Sequence, residues 1–483
     1  MDIRLHDTVP GPGDVAAVLA FAREGQAAML PRGFESCAGA PGMGNFKGKE
    51  LRTGIFYCAN GSPACMVVVV GLGSREPSAA LFRRAVAKGV KLCREQNAGS
   101  VYIEPAGWPG APDDPDKALE EAAVAAGLGL YSYAGHKSEQ DDAEPEPELW
   151  LGGSGPGAER AAARARAQVA GVSLARDLAN APSNRATPAM LAEAARDLAS
   201  RHGFACTVME GGDLREFGCL RAVAQGSAES ARFVVLDSGP EDEEHPLVYC
   251  GKGVTFDTGG ISLKPSAKME EMKGDMAGAA AVLGFFEAYG ELGGGRRVVG
   301  LLPLTDNMPD GRAVKPGDVI DSFKGLTVEV INTDAEGRLI LADALAYAER
   351  CDPALTVDVA TLTGACVVAL GEQCAGLFSP DDELRGKVAA LGEAVGERCW
   401  PMPLWDEYAE ALKSEAADVK NVGPREGGAI HAAKFLQRFA PEKAPWVHLD
   451  IAPTGFVSSA NELRPKGGTG FGVRILLGLA TEE

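Results

Sequence analysis

The sequence lacks most of the features that would classify it quickly. Its eleven cysteines contain no C-x-x-C pair, are odd in number, run from Cys37 to Cys399 and partly sit in apolar stretches (Cys65, Cys250, Cys366). That usage argues against a secreted disulfide framework and for reduced core thiols in a cytoplasmic protein. Basic charge is scarce, with 47 Lys and Arg against 67 Asp and Glu for a net charge of −20. Such a field repels phosphate backbones and anionic lipid surfaces, so neither nucleic acid nor a membrane is an expected partner. Long apolar runs are missing as well. The longest, around Ala64 to Leu72, is far below the ~18 residues of a membrane span. Val15 to Ala22 follows acidic and Pro-Gly sequence without a basic flank, unlike a signal peptide.

Several catalytic signatures are absent too. Gly71-Leu72-Gly73 follows a strand-like run, but residue 76 is Glu where a dinucleotide fingerprint needs its third Gly, so a plain strand-end turn is the better reading. Gly251-Lys252-Gly253 is not followed by a phosphate-loop pattern. The six His are far apart with no H-E-x-x-H pair, and no G-x-S-x-G elbow supports a serine nucleophile. No internal repeat or heptad run is present.

What is there reads as globular α/β sequence. The length of 483 residues is a prior for two or three domains at roughly 150 residues each. Hydrophobic residues make up 46% and charged residues 24%, with 61 Gly and 30 Pro to turn the chain between elements. Met66 to Val70 and Val101 to Glu104 read as strands, and Ala79 to Gln96 and Lys117 to Ala126 as helices, an alternation that predicts a mostly parallel sheet. The acidic stretch Ser138 to Glu148 reads as a solvated loop and Gly152 to Gly157 as a break, which places a domain boundary there. The expected organisation is an N-terminal α/β domain over 1–155, an Ala-rich linker helix within 156–180, and a larger domain over 181–483. In the last, Phe233 to Leu236, Leu247 to Tyr249, Val298 to Leu302, Thr327 to Val330 and Thr356 to Ala360 read as strands. Ala279 to Tyr289 and Leu339 to Arg350 read as helices.

The chemistry is expected in a carboxylate-rich constellation. GKGVTFDTGGISLKP runs from Gly251 to Pro265, MEEMKGDMAGAAAV from Met269 to Val282, and NTDAEGRL from Asn332 to Leu339. Acidic side chains here interrupt Gly-rich, apolar sequence, where an unpaired carboxylate is costly to bury. Asp334 and Glu336 are two apart, so in extended backbone both would leave one face. A single Asp or Glu is far more often a surface group or a helix cap. Taken as a set, Asp257, Asp275, Asp334 and Glu336 would balance two divalent cations, and hard oxygen ligands suit zinc, manganese or magnesium.

These three segments resemble the leucyl aminopeptidase (cytosol aminopeptidase) family, and NTDAEGRL matches its signature throughout. Similar stretches are RDLANAPSNRATP from Arg176, NMPDGRAVKPGDVI from Asn307, DVATLTGA from Asp358, HLDIA from His448 and TGFGVR from Thr469. Together they span most of residues 176 to 475, while the first 150 residues resemble the family only in general α/β character. The resemblance implies two divalent metal ions per chain (zinc, manganese, cobalt or magnesium). Asp257 and Glu336 would bridge them, Lys252 and Asp275 would complete one shell, and Asp334 the other. It further implies that Lys264 hydrogen-bonds the developing gem-diolate and that Arg338 anchors a bicarbonate relaying the proton. Met272, Asn332, Thr361, Gly364 and Ala452 match the family's apolar substrate pocket.

Three positions depart from the pattern: Pro453 where Gly is common, Gly455 where some members carry an apolar residue, and His431 where Thr is frequent. The expected fold is a smaller N-terminal α/β domain and a larger C-terminal α/β catalytic domain on a mixed central sheet. The expected activity is release of leucine-like N-terminal residues from peptides, and the resemblance adds a homohexamer. A non-catalytic relative is disfavoured by the intact ligand, Lys264 and Arg338 positions, and a nucleic-acid-binding one by the charge.

Overall fold

The structure, a computed structural model, describes residues 1–136, 138, 145–239 and 244–481. The chain divides into two compact units, Met1–Val169 with Ala460–Pro465, and Ala170–Ser459 with Lys466–Glu483.

Unit 1 holds strands β1 (Ile3–His6), β2 (Val15–Arg23), β3 (Thr53–Tyr57), β4 (Ala64–Gly73), β5 (Ser100–Ile103) and β6 (Glu148–Gly152). They form one sheet in the order β1-β6-β5-β2-β4-β3, parallel except for the antiparallel edge β3. Helices α1 (Ala79–Glu95) and α2 (Pro115–Leu130) are the crossovers that parallel pairing requires. The run Val15 to Ala22 is the buried strand β2 in the middle of this sheet, which is why it is apolar. Of the acidic stretch read as a loop, residues 139–144 lie outside the described residues, and its last residue, Glu148, opens β6.

Helix α3 (Gly155–Asn180) crosses the division between the units. It begins inside the glycine-rich stretch read as a break, because Gly155 (φ +80°) turns the chain and Pro156 suits a first helical turn. The units separate within the helix rather than before it. Gln168 Nε2 donates to Glu120 of unit 1 at 2.6 Å, whereas Arg176 Nε donates to Thr469 O of unit 2 at 2.9 Å.

Unit 2 continues with α4 (Pro188–His202), β7 (Ala205–Glu210), α5 (Gly218–Ala224), β8 (Arg232–Asp237), β9 (Leu247–Gly251), β10 (Gly253–Asp257), α6 (Ala277–Glu291) and β11 (Val298–Asn307). Next come β12 (Val319–Asp321), β13 (Thr327–Glu329), α7 (Gly337–Ala348), β14 (Leu355–Ala360), α8 (Gly364–Leu370), β15 (Ala375–Phe378), α9 (Asp382–Val395) and β16 (Cys399–Pro401). β17 (Val419–Lys420), α10 (Gly428–Gln437), β18 (Trp446–Asp450), β19 (Phe456–Val457), β20 (Gly467–Gly468) and α11 (Val473–Thr481) complete it. The main sheet runs β16-β15-β18-β14-β9-β11-β8-β7, with β10 also pairing β11. Its centre, β18-β14-β9-β11, is parallel, and antiparallel pairs flank it at β15 and β8, so the sheet is mixed. Thr327 to Val330 does not join it. β13 lies in a separate three-stranded sheet with β12 and β17.

Helices cover both faces of the main sheet, and β9 shows how. Val248 and Cys250 face the core built with Leu339, Leu341 and Leu345 of α7. Tyr249, one residue out of phase, meets Phe285 of α6 edge-on at 4.9 Å and donates its hydroxyl to Leu476 O. A strand buried on both sides needs an unbroken apolar run. No helix among the described residues is long and apolar enough to cross a membrane.

Candidate active site

In an open α/β sheet the carboxyl ends of the parallel strands leave a crevice between their loops. Lys252 follows β9, Asp257 closes β10, Thr361 follows β14 and Ala452 lies just beyond β18, so all four arrive at this end. Asp275 stands in the turn before α6, and Glu336 immediately precedes α7. Together they line a cavity of 350 Å³.

Short-range chemistry holds these loops in place. Asn307, paired with Asp257 in the β10/β11 register, donates Nδ2 to Asp257 Oδ1 at 2.8 Å and to Thr333 O at 3.0 Å, joining three segments. After β10 the chain turns back through Gly259 and Gly260, both in the left-handed region (φ +88° and +64°). Gly337 has a different reason. A Cβ there would stand 2.3 Å from Lys252 Cε and 2.6 Å from its Nζ, so only glycine leaves the lysine its place.

Two lysines face four carboxylates. Lys252 Nζ lies 2.7 Å from Asp275 Oδ1 and 3.0 Å from Glu336 Oε1; Lys264 Nζ lies 2.6 Å from Asp257 Oδ2 and 2.5 Å from Asp334 Oδ1. Lys252, Asp257 and Glu336 are 3% exposed or less. Burial alone would strip charge from all of these groups. Burial pushes the Asp275, Asp257 and Asp334 carboxyls up, and repulsion from Glu336 adds to it for the first two. Burial also opposes charge on Lys252 and Lys264, yet the carboxylates around them outweigh it and raise both ammonium groups.

The lysines do not complete the site. Asp275 Oδ2 and Glu336 Oε2 are buried with no hydrogen-bond partner among the described residues, a state that costs stability unless something else coordinates them. Carboxylate oxygens of Asp257, Asp334 and Glu336 come within 4.8 Å of one another. Hard oxygen donors, a net negative charge and vacant lone pairs fit divalent cations. A second trio, His202, Glu287 and Glu291, is equally close, but Arg201 already holds both Glu287 oxygens at 2.7 Å, as a structural ion pair does.

Of the twelve residues singled out from the sequence, Lys252, Asp257, Lys264, Met272, Asp275, Asp334, Glu336, Thr361, Gly364 and Ala452 line the cavity. Asn332 and Arg338 do not. Asn332 Oδ1 accepts from Asp334 N at 2.9 Å and so shapes the turn. Arg338 is buried and donates Nη1 to Asn421 O at 2.8 Å, while its Nε has no partner among the described residues. Asp334 and Glu336 do not share one face of a strand, as extended backbone would have them do. The segment is a turn, with Glu336 already helical (φ −77°, ψ −36°), so the two converge through the turn and not through a strand's alternation. Asn421 was missed. It is fully buried, takes Ile331 N on Oδ1 at 2.8 Å and donates Nδ2 to Asn332 O at 2.7 Å. Nothing in a lone Asn 89 or 90 positions away signals that role, whereas Asn307 opens one of the motif segments. Glu271, Val367, Glu372 and Phe456 also line the cavity, as does Pro453; His431 instead sets its Nδ1 against Pro424 O.

Comparison with known proteins extends this geometry. The cytosol aminopeptidase family's catalytic-domain model matches residues 173–477, and its N-terminal-domain model matches 39–140. The chain belongs to the cytosol aminopeptidase family. The family likeness thus reaches into the first 150 residues, further than the motifs alone carried it. A probable cytosol aminopeptidase of Nitratidesulfovibrio vulgaris is 48% identical over 92% of this chain and 90% of its own length, and one of Desulfovibrio desulfuricans 49% over 91% and 90%. Among solved structures, a mutant of tomato leucine aminopeptidase aligns with TM-score 0.86 at 32% identity, covering 99% of this chain and 96% of its own. Bottromycin maturation enzyme BotP in complex with Mn aligns with TM-score 0.83 at 38% identity, over 95% and 98%. As a cytosol aminopeptidase the chain is a metal-dependent hydrolase acting on peptides.

Proposed function

We propose that this aminopeptidase releases leucine-like N-terminal residues with two divalent ions held by Lys252, Asp257, Asp275, Asp334 and Glu336. The observation that carries the reading is the pair of buried oxygens, Asp275 Oδ2 and Glu336 Oε2, that have no hydrogen-bond partner among the described residues, within five candidate ligands at one cavity. Zinc, manganese, cobalt and magnesium all suit such donors. When bound, ions of this kind polarise a scissile carbonyl and acidify a water.

The chain's own groups supply the rest. Coordination by Lys252 needs its neutral amine, so loading must displace the proton it shares with Asp275 and Glu336. Lys264, part-exposed at the cavity, is free to turn from Asp257 and Asp334 once their charge is otherwise balanced, and to donate to the oxyanion. Arg338 Nε, a buried donor without a partner among the described residues, fits a small anion, which supports bicarbonate as the proton relay. Met272, Gly364, Ala452, Val367 and Phe456 give the cavity an apolar wall, which supports a leucine-like first residue. A homohexamer in the cytoplasm belongs to the same reading; the relatives' names support the location.

The test is hydrolysis of leucine amide with and without a chelator, beside N-acetyl-leucine amide, with metal content measured per chain. Loss of activity on chelation, return with about two ions per chain and an inert acetylated compound are expected. Comparable hydrolysis of the acetylated compound would sink the exopeptidase reading; full activity with one ion would sink the two-metal assignment.

A further inference from the structure

We propose that Asp450 is a positioning residue for the first-residue pocket: its buried carboxylate ties the two loops walling that pocket into one frame. The inference rests on the aminopeptidase reading above. Asp450 closes β18, is fully buried and does not itself line the cavity. Its Oδ1 accepts from Leu362 N at 3.1 Å, Thr363 N at 3.3 Å and Ala452 N at 3.2 Å, and its Oδ2 accepts from Thr363 Oγ1 at 2.6 Å. Three of these donors belong to the loop between β14 and α8, and the fourth to the loop after β18. Both loops line the cavity, the first through Thr361, Leu362 and Gly364, the second through Ala452 and Pro453.

The first loop also reaches the charged end of the site. Thr361 Oγ1 donates to Asp275 Oδ1 at 2.8 Å. Thr363, with its proton committed to Asp450, caps α8 by accepting from Cys366 N at 3.1 Å. Four donors converging on two oxygens require a side chain that accepts on both, and a carboxylate does. Asparagine has a single acceptor oxygen, and its amide group would meet the Thr363 hydroxyl and leave that hydroxyl's proton without an acceptor. A loosened frame matters for a substrate whose first side chain presses on both walls and little for one with no side chain.

The experiment compares kcat/KM for leucine amide and glycine amide on the full chain loaded with manganese, in wild type, Asp450→Asn, Thr363→Val and Thr363→Ser. The expected result is a leucine-to-glycine ratio about tenfold lower in Asp450→Asn with metal per chain unchanged. Thr363→Val should shift the ratio in the same direction by less, Thr363→Ser should keep it, and the pair decides the matter should Asp450→Asn fail to fold. Equal losses on both substrates, loss of metal, or an unchanged ratio would overturn the assignment, since a merely structural carboxylate moves the folded fraction and not the preference. A wild type without preference for leucine amide would remove the pocket reading, and this inference with it.

Discussion

The two units of this protein bury charge in opposite ways. In unit 1 the buried acid Glu121 meets the equally buried Arg83 at 2.5 Å, a cation matched to an anion. At the strand ends of unit 2, four carboxylates crowd two lysines, and two carboxylate oxygens are left without partners among the described residues. A buried charge with its partner is architecture; buried acids in excess of their partners are a site waiting for a cation. The same contrast runs through the glycines. Gly71 of β4 is required because a Cβ there would stand 2.0 Å from Lys49 O, a clash with backbone. Gly337 is required because of a buried side chain at the cavity, Lys252.

The contrast breaks most directly at Asp334. Replacing it with Ala should abolish turnover and lower bound metal, whereas Lys264→Ala should keep both ions yet lose about a hundred- to a thousandfold in kcat, the scale of a lost oxyanion donor. Elemental analysis beside steady-state kinetics separates the two. A lysine variant that sheds metal while keeping turnover per ion would reverse the assignment.

Next in size are the glycines. Gly337→Ala should cost little stability, since the lysine end can swing away and Ala suits a helix start, but metal content and activity should fall together. Gly71→Ala should destabilise by about 1–3 kcal/mol with kcat per folded molecule unchanged. Thermal midpoints and active-site titration read both; similar stability losses in the two variants would erase the distinction between them.

The smallest effect concerns a buried acid away from the site. Burial raises the Glu397 carboxyl to about 7, against hydrogen bonds from the Ile475 backbone N–H. Because the folded value exceeds the ordinary 4.5, the protonated group contributes stability at low pH that is lost as pH rises from about 4.5 to about 7. Glu397→Gln, which cannot titrate, should therefore gain stability relative to wild type across that window and level off above it. Denaturant midpoints at a series of pH values check the slope. A relative loss instead would mean Glu397 is ionised and behaves as the paired acids of unit 1 do.

Much of this was legible beforehand, for reasons that differ by residue. β4 and β9 could be read because strands buried on both faces are apolar nearly throughout, and α1 and α6 because their apolar content outlasts a strand. Ten of the twelve site positions line the cavity because ligand chemistry restricts residue type and the flanking glycines restrict the backbone. Arg338 and Asn332 are not among the lining residues, since a motif residue's direction depends on the turn that carries it.

By itself, the sequence determined the alternation of elements, the excess of acid and the donor types available, because these follow from composition and short-range pattern. Tertiary structure alone decided that Asp257 meets Asn307, that Asn421 braces the turn before α7 and that Asp450 joins two loops. It also decided which carboxylate oxygens were left over. The physical reason is that hydrogen-bond satisfaction is a property of three-dimensional neighbourhoods: whether a buried oxygen has a partner depends on groups brought from scores of residues away by strand register, and no local pattern encodes that meeting.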